Sequence, residues 1–268
     1  IGENIIVNWI SFNAGPDEVT ALFSGDIDIG YIGPIPAISA NVKSEGDVVV
    51  ISGGSDGGMM LLAAQESGIE NVSDLSGKNV AVPQIGNTQH LVLLNLLAEN
   101  NLSSTDVGGD VTITATANAY ILQLMQSGEI DAACVPEPWA EILINESGAK
   151  VICDENEIWG KGSYPVAVVV VRKEFMEKNP EIVKKFLKVH REMTDYLNKD
   201  AEDAMSIINE EIELATDKSI DIDILKESLK HITFNADVNA DAINAFVDIC
   251  AHEDFTSQVP YKDFLQVE

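Results

Sequence analysis

Short apolar runs alternate with amphipathic segments along the first two thirds of the chain. Runs rich in Val and Ile predict strands at 5–10, 27–32, 48–52, 59–64, 79–83, 111–115, 130–135, 150–153 and 166–171. Apolar positions at helical spacing predict helices at 16–23, 34–41, 90–99, 119–126 and 138–145. Strands that alternate with helices in this way indicate an α/β fold with mostly parallel sheets.

This pattern occurs twice, at an offset of 103 residues (from 22 to 125). Residues 22–29, LFSGDIDI, recur as residues 125–132, MQSGEIDA. At the same offset Trp9-Ile10-Ser11 aligns with Thr112-Ile113-Thr114, and 34–37 aligns with 137–140. A register kept over about 40 positions indicates a copied structural unit. We therefore expect two α/β lobes, one formed by 1–74 plus 165–268 and the other by 75–164.

The second copy begins with a strand and a helix, at 79–83 and 90–99, that have no counterpart in the first copy. Their equivalents would precede Ile1, so we expect a strand and a helix of about 40 residues to be absent from the start of this sequence. The alternative is a native lobe that lacks these elements. Two chain crossings, expected near 65–77 and 162–166, would join the lobes as a hinge.

The C-terminal hundred residues have helical spacing. Asn179-Pro180 is a cap and first-turn pair. The apolar stripe that follows consists of Ile182, Phe186, Leu187, His190, Met193, Tyr196 and Leu197. Similar stripes at 201–208, 224–232 and 241–250 complete a helical C-terminal segment, which we expect to pack on the first lobe.

Composition narrows the classes of partner. The chain has 16 basic and 44 acidic residues, and its net charge of -28 argues against nucleic acid and anionic membranes as partners. An anionic ligand would therefore have to be held by local dipoles and hydrogen-bond donors. No apolar run approaches the roughly 18 to 20 residues of a membrane helix. The three cysteines lack metal-ligand spacing and are expected to be buried thiols, with a single disulfide bridge as the alternative.

Five motifs, in this order, carry a resemblance to a known family. They are Leu22-Phe23-Ser24-Gly25-Asp26-Ile27-Asp28-Ile29-Gly30, Asp74-Leu75-Ser76-Gly77-Lys78-Asn79-Val80-Ala81-Val82-Pro83, Gly86-Asn87-Thr88-Gln89-His90, Gly128-Glu129-Ile130-Asp131-Ala132 and Glu137-Pro138-Trp139. The chain resembles the extracytoplasmic solute-binding proteins of ABC importers, in the branch for nitrate, taurine and aliphatic sulfonates, with thiamine-precursor binders as cousins.

The resemblance implies a two-lobed, periplasmic-binding-protein-like (type II) fold that closes on a small anionic or zwitterionic solute. It implies a membrane permease as partner and a periplasmic or extracytoplasmic location, with a lipid anchor at the missing N-terminus as one option. We expect a monomer without a cofactor. The chain departs from the family at its start, where we expect the family's first strand and helix, and with them half of one pocket wall, to be missing.

The candidate ligand contacts follow predicted strands, where helix N-termini point at a cleft. Asn87, Thr88, Gln89 and His90 open a helix, so backbone N-H groups and the Thr88 hydroxyl would suit an anion, whereas the alternative is a simple N-cap. Gly33 and Pro34 occupy the corresponding turn of the other lobe. The remaining candidates are Ser55, Asp56, Asn118, Glu137 and Trp139. Resemblance to taurine binders implies that Glu137 pairs with a ligand amine, and Trp139 would contact an alkyl chain of the ligand. The alternatives for these two residues are helix capping and core packing.

Two further functions compete with solute binding. Residues 53–57 satisfy G-x-S-x-G, so an α/β hydrolase would use Ser55, with His190, His231 or His252 as base. That pattern needs a helix after the turn, and an internal duplication is foreign to hydrolases. A ligand-sensing regulatory domain of the same fold is the other alternative. The four histidines lack the pairing of metal ligands, so the sequence predicts no metal site and no enzyme.

Overall fold

The computed structural model describes residues 5–159, 164–199, 201–216, 218–253, 255, 260–261 and 263–267. The strands are β1 (Ile29–Ile32), β2 (Val48–Gly57), β3 (Met59–Ala63), β4 (Asn79–Val82), β5 (Thr112–Ala115), β6 (Ala132–Pro136), β7 (Lys150–Cys153), β8 (Pro165–Arg172) and β9 (Ile232–Phe234). The helices of the duplicated region are α1 (Gly15–Ser24), α2 (Pro34–Lys43), α3 (Thr88–Glu99), α4 (Asn118–Gln126), α5 (Trp139–Ser147) and α6 (Glu155–Trp159). The C-terminal helices are α7 (Lys173–Lys178), α8 (Pro180–Lys199), α9 (Ala201–Thr216), α10 (Ile222–Ser228) and α11 (Ala240–His252).

The strands form two sheets, with the orders β1-β8-β2-β9 and β5-β4-β6-β3-β7. The predicted mixed α/β fold with a helical C-terminal segment is confirmed. Among the described strands, the predicted parallel pairing holds only between β4 and its neighbours β5 and β6. Elsewhere the pairing is antiparallel, because β8 runs between β1 and β2 and β3 runs between β6 and β7.

The chain passes from one sheet to the other between β2 and β3, and it returns between β7 and β8. β2 ends at Gly57 in the four-stranded sheet, and β3 begins at Met59 in the five-stranded sheet. The first crossing therefore lies at Gly57-Gly58, where both φ angles are positive (78° and 68°), and not near 65–77 as predicted. Glycine adopts this backbone conformation without steric cost. The second predicted crossing, near 162–166, includes residues 162 and 163, which lie outside the described residues. The predicted lobe boundaries stay a prediction.

The predicted strand at 5–10 is absent from the described structure, where this segment has no regular secondary structure. Ile6 is 88% exposed and Trp9 is 75% exposed. The equivalent strand of the second copy, β5, is hydrogen-bonded only to β4. The four-stranded sheet has no described counterpart of β4 beside its edge strand β1, so the segment 5–10 lacks a ladder to join. A hollow of about 680 Å³ lies there instead.

The other predicted elements need smaller corrections. The sequence predicts a loop at 53–57, but these residues continue β2 and pair with β8 and β9. The predicted helical stripe at 224–232 ends at Ser228, and Ile232 begins β9. The helix α8 packs on the four-stranded sheet as expected, since Val183 and Phe186 join Val49 in one apolar cluster.

The cores are continuous across the helices that flank both sheets. Phe246 of α11 is fully buried, and α11 packs on α2 and α3, which belong to different copies of the repeat.

The cysteines are buried free thiols in the described structure, as predicted. Burial raises the pKa of these thiols, to about 11 at Cys153 and about 12 at Cys250. None of the described helices is both long enough and apolar enough to cross a lipid bilayer.

Candidate functional site

The predicted contacts of the second lobe lie at one edge of the five-stranded sheet. β4, β5 and β6 are neighbours that run in the same direction, and each is followed by a helix: α3, α4 and α5 respectively. The carboxyl ends of parallel strands meet at the same edge, and helix N-termini point outward there. The fold therefore places the α3 N-terminus, Asn118 and the turn at Glu137 along one edge of this sheet.

The N-terminus of α3 is buried and capped. Asn87 is extended, and its Oδ1 accepts the His90 N-H at 2.8 Å. This is the capping role that the sequence analysis kept as the alternative for Asn87. Thr88 is 2% exposed, and its Oγ1 has no hydrogen-bond partner among the described residues. A buried hydroxyl without a partner is costly, so Thr88 is the first candidate contact for a ligand.

The N-terminus of α2 lies against the N-terminus of α3. Gly33 is the N-cap of α2, and a Cβ built on Gly33 would lie 2.4 Å from Thr88 Oγ1. Two further hydrogen bonds link the segments next to α1 and α3: Asn13 Nδ2 donates to the Pro83 carbonyl at 3.1 Å, and Gln84 Nε2 donates to Asp17 Oδ1 at 2.8 Å. The structure thus brings Gly33 and Thr88 into contact, and Asn13 and Gln84 are neighbours that the sequence analysis did not identify.

His90 is a neutral donor beside this contact. The Gly86 N-H donates to His90 Nδ1 at 3.1 Å, so the ring carries its proton on Nε2. Burial lowers the pKa of His90 to about 4, and the nearby Asp106 offsets only part of this shift. Asn118 at the start of α4 is 9% exposed, and its Oδ1 is without a partner in the described part of the chain.

The low pKa of His90 predicts a pH dependence of stability. The unfolded chain takes up a proton near the ordinary pKa of 6.5, whereas the folded protein takes it up only near 4. The stabilising contribution is thus complete above pH 6.5 and is lost as the pH falls towards 4. We expect the wild type to lose more unfolding free energy between pH 7 and pH 5 than His90→Asn, which keeps an acceptor for the Gly86 N-H. Urea denaturation at both pH values measures this difference.

Parallel curves for the wild type and His90→Asn would contradict a buried, neutral His90.

Glu137 lies where the chain crosses between the sheets. Its N-H donates to the Gly58 carbonyl at 2.7 Å, and its Oε2 accepts the Glu141 N-H at 3.2 Å. Its Oε1 is buried without a hydrogen-bond partner in the described ranges. Trp139 is half-buried against the apolar cluster under α5. Glu141 and His231 adjoin Glu137, a grouping that spacing in the sequence does not reveal.

Ser55 and Asp56 lie inside the four-stranded sheet. Ser55 pairs with Ala167 on one side and with Phe234 on the other. Asp56 is 6% exposed, and its Oδ2 accepts from Asn235 Nδ2 at 2.9 Å. The chain continues from β2 directly into β3. A nucleophile elbow needs a strand, a sharp turn and a helix, so the hydrolase hypothesis for Ser55 is wrong.

His190 also has a structural role. It is buried in α8, where Nδ1 lies 2.9 Å from the Tyr31 hydroxyl and Nε2 lies 2.8 Å from the Gly53 carbonyl. Beside it, a surface hollow of about 890 Å³ combines basic and acidic side chains, including Lys184, Arg191 and Glu192. Because these charges balance, the hollow is a weaker candidate for an anion than the Gly33 and Thr88 contact.

Known proteins are similar to this chain in both sequence and fold. The chain matches the NMT1-like family over residues 2–209. The taurine-binding periplasmic protein of Escherichia coli K12 is 34% identical over 183 residues, which cover 68% of this chain and 54% of that protein. The chain thus spans about half the length of this relative.

Two solved structures show the fold. The alkanesulfonate-binding protein SsuA of Xanthomonas axonopodis pv. citri, bound to MOPS, has a TM-score of 0.80 and 20% identity, over 97% of this chain and 87% of that one. The periplasmic aliphatic sulphonate binding protein SsuA of Escherichia coli has a TM-score of 0.72 and 22% identity, over 94% and 79%. These relatives are binding proteins and not enzymes.

Proposed function

The chain belongs to the NMT1-like family, and from this premise we propose that it is the solute-binding component of an ABC importer. Its solute would be a small anion or zwitterion of the sulfonate, taurine or nitrate type. The solute would lie in the cleft between the α2 and α3 N-termini. The names of the taurine-binding and alkanesulfonate-binding relatives support this class of solute.

The buried, unpartnered Thr88 hydroxyl is the observation that carries this proposal. Its oxygen lies at the N-terminus of α3, which concentrates partial positive charge and backbone N-H donors. Asn87 uses one of these N-H groups, that of His90, for its cap. The remaining first-turn N-H groups and the Thr88 hydroxyl form a set of donors that suits sulfonate, carboxylate or nitrate oxygens.

Neutral donors would hold the anion in a molecule of strongly negative charge. The net charge of -28 repels an anion at long range, so the binding energy must come from short-range hydrogen bonds. His90 is neutral at pH 7, and its Nε2-H is one such donor. Gln89 and Asn118 supply further polar side chains near the same strand ends. The predicted pairing of Glu137 with a ligand ammonium and of Trp139 with an alkyl chain stays a prediction.

Closure of the lobes would couple binding to recognition by the importer. In this proposal the Gly33 contact with Thr88 would belong to a closed arrangement, and the glycines at 57 and 58 would offer a pivot. A solute that contacts both walls stabilises the closed state over the open one. The membrane permease would then receive the closed form on the side of the membrane that faces away from the cytoplasm. This location is in keeping with the periplasmic relative.

Removal of the Thr88 hydroxyl should weaken binding. Thr88→Val keeps the shape of the side chain but removes its donor, and a hydrogen bond to a charged group contributes about 1.5–3 kcal/mol. We expect affinity for the best solute to fall by roughly tenfold to a hundredfold. Isothermal titration calorimetry against taurine, alkanesulfonates and nitrate measures both the solute preference and this loss.

Thr112→Val is the matched control, because Thr112 is exposed at the amino end of β5, away from the cleft. It should bind like the wild type. A solute that binds Thr88→Val and the wild type equally would place the anion elsewhere. Failure of every solute of these classes to bind the protein in its full natural length would overturn the proposed function.

A further inference from the structure

A second group of polar side chains lies next to the crossing at Gly57-Gly58. Glu137 follows β6, Glu141 is in the first turn of α5, and His231 precedes β9. One carboxylate oxygen of each glutamate and one ring nitrogen of the histidine all lie within 4.8 Å of one another. The packing of α10 on α5 and the pairing of β9 with the end of β2 bring these residues together.

The group has more acceptors than donors. Glu137 is only 8% exposed, and its Oε1 is without a partner among the described atoms. Glu155 adds a third carboxylate: its Oε1 lies 3.0 Å from His231 Nδ1, and its Oε2 is buried with no partner in the described structure. Burying a carboxylate oxygen without a donor is costly. A bound cation would remove this cost.

We propose that Glu137, Glu141 and His231 bind a divalent transition-metal ion of the zinc class. One imidazole and two carboxylates are a ligand set that suits zinc, whereas calcium and magnesium prefer more ligands, all of them oxygen. Metal-ligand distances of about 2.0–2.2 Å require only a small inward movement of side chains that already lie within 4.8 Å of one another.

The neighbours of these ligands fit the same assignment. Because His231 Nδ1 contacts Glu155, Nε2 is the ring nitrogen that would face the metal. A carboxylate on the second nitrogen is the usual support of a metal-binding histidine, since it orients the ring and raises its basicity. Asn145 Nδ2 donates to Glu141 Oε1 at 2.7 Å, which leaves the second oxygen of Glu141 as the ligand.

The metal would join the two sheets. Glu137 and Glu141 are anchored to β6 and α5 of the five-stranded sheet, whereas His231 is anchored to β9 of the four-stranded sheet. The ion would therefore hold together the elements that meet at the crossing. It would act independently of the Thr88 contact, which lies at the α3 N-terminus.

Calorimetric titration of Zn²⁺ into chelator-treated, tag-free protein tests this site. We expect one ion per chain and a higher unfolding temperature with Zn²⁺. Glu141→Gln and His231→Ala should each weaken Zn²⁺ binding at least tenfold and abolish the thermal shift. Glu141→Gln is nearly isosteric, so it tests the site even where His231→Ala impairs folding.

Matched surface variants serve as controls for adventitious zinc. Glu146→Gln lies on the exposed side of the same helix, and His252→Ala removes an exposed imidazole; both should bind Zn²⁺ like the wild type. The site is overturned if the wild type does not bind Zn²⁺, or if Glu141→Gln binds it as tightly as the wild type. Titration of the same samples with sulfonates shows separately whether the proposed solute binding holds.

Discussion

Gly33→Ala should weaken solute binding by roughly tenfold to a hundredfold, which corresponds to an overpacking cost of about 1–3 kcal/mol. The added Cβ would lie 2.4 Å from Thr88 Oγ1. Thr88 is buried and β-branched, so it cannot rotate away freely. The Gly33 backbone, with φ -63° and ψ 151°, suits any residue. The substitution should therefore oppose closure without straining the fold, and calorimetry with the best solute measures the loss.

A double-mutant cycle separates this clash from a general defect. Thr88→Ala removes Oγ1, and the Cβ of residue 88 lies at an ordinary 3.5 Å from the position of the methyl group that Gly33→Ala adds. The pair Gly33→Ala with Thr88→Ala should therefore bind no more weakly than Thr88→Ala alone. If the losses of binding free energy in the two single variants add up in the double variant, Gly33→Ala acts through a contact other than the one with Thr88. Unchanged affinity in Gly33→Ala would mean that solute binding does not close this contact.

Phe246→Ala should lower the free energy of unfolding by about 3–5 kcal/mol, the range for truncating a buried aromatic side chain. Phe246 is fully buried, and its ring lies edge-on to Trp159 at a centroid distance of 4.7 Å. Tyr164 stacks on Trp159 at 4.5 Å and lies 6.2 Å from Phe246. The cavity would open where α11 meets helices of both repeat copies. Urea denaturation followed by circular dichroism measures the change.

Tyr120→Ala is the control for loss of an aromatic ring at the surface, since Tyr120 is 62% exposed. It should change the free energy of unfolding by less than about 0.5 kcal/mol. A loss below about 1 kcal/mol in Phe246→Ala would show that the surrounding side chains collapse into the space, and would contradict the role of Phe246 in joining the two halves.

The duplication made much of the fold predictable. Equivalent strands and helices occur in the same order in both copies, so the prediction for one copy supports the prediction for the other. Pro34 and Asn87 marked the beginnings of α2 and α3 correctly, because first-turn prolines and capping side chains act through local backbone geometry.

The local sequence pattern was misleading where the pairing of strands determines the secondary structure. The segment 5–10 has the composition of a strand but lacks a neighbour, and a strand without a ladder leaves its N-H and C=O groups to water. The glycines at 53 and 54 resemble a loop, yet β8 and β9 provide partners on both sides of this stretch. For the same reason the crossing lies at Gly57-Gly58 and not near 65–77. The hydrogen-bonded neighbours of β3, and not its composition, place this strand in the five-stranded sheet.

The sequence alone predicted two copies of an α/β unit, a helical C-terminal segment, buried cysteines and a helix that begins at Asn87 and Thr88. These features depend on periodicity, capping and composition, which act over a few residues. The structure was needed to bring Gly33 against Thr88 and to group Glu137 with Glu141 and His231. Such contacts join residues 55 to 94 positions apart (33 to 88 and 137 to 231), and only the packing of whole helices and sheets brings them together.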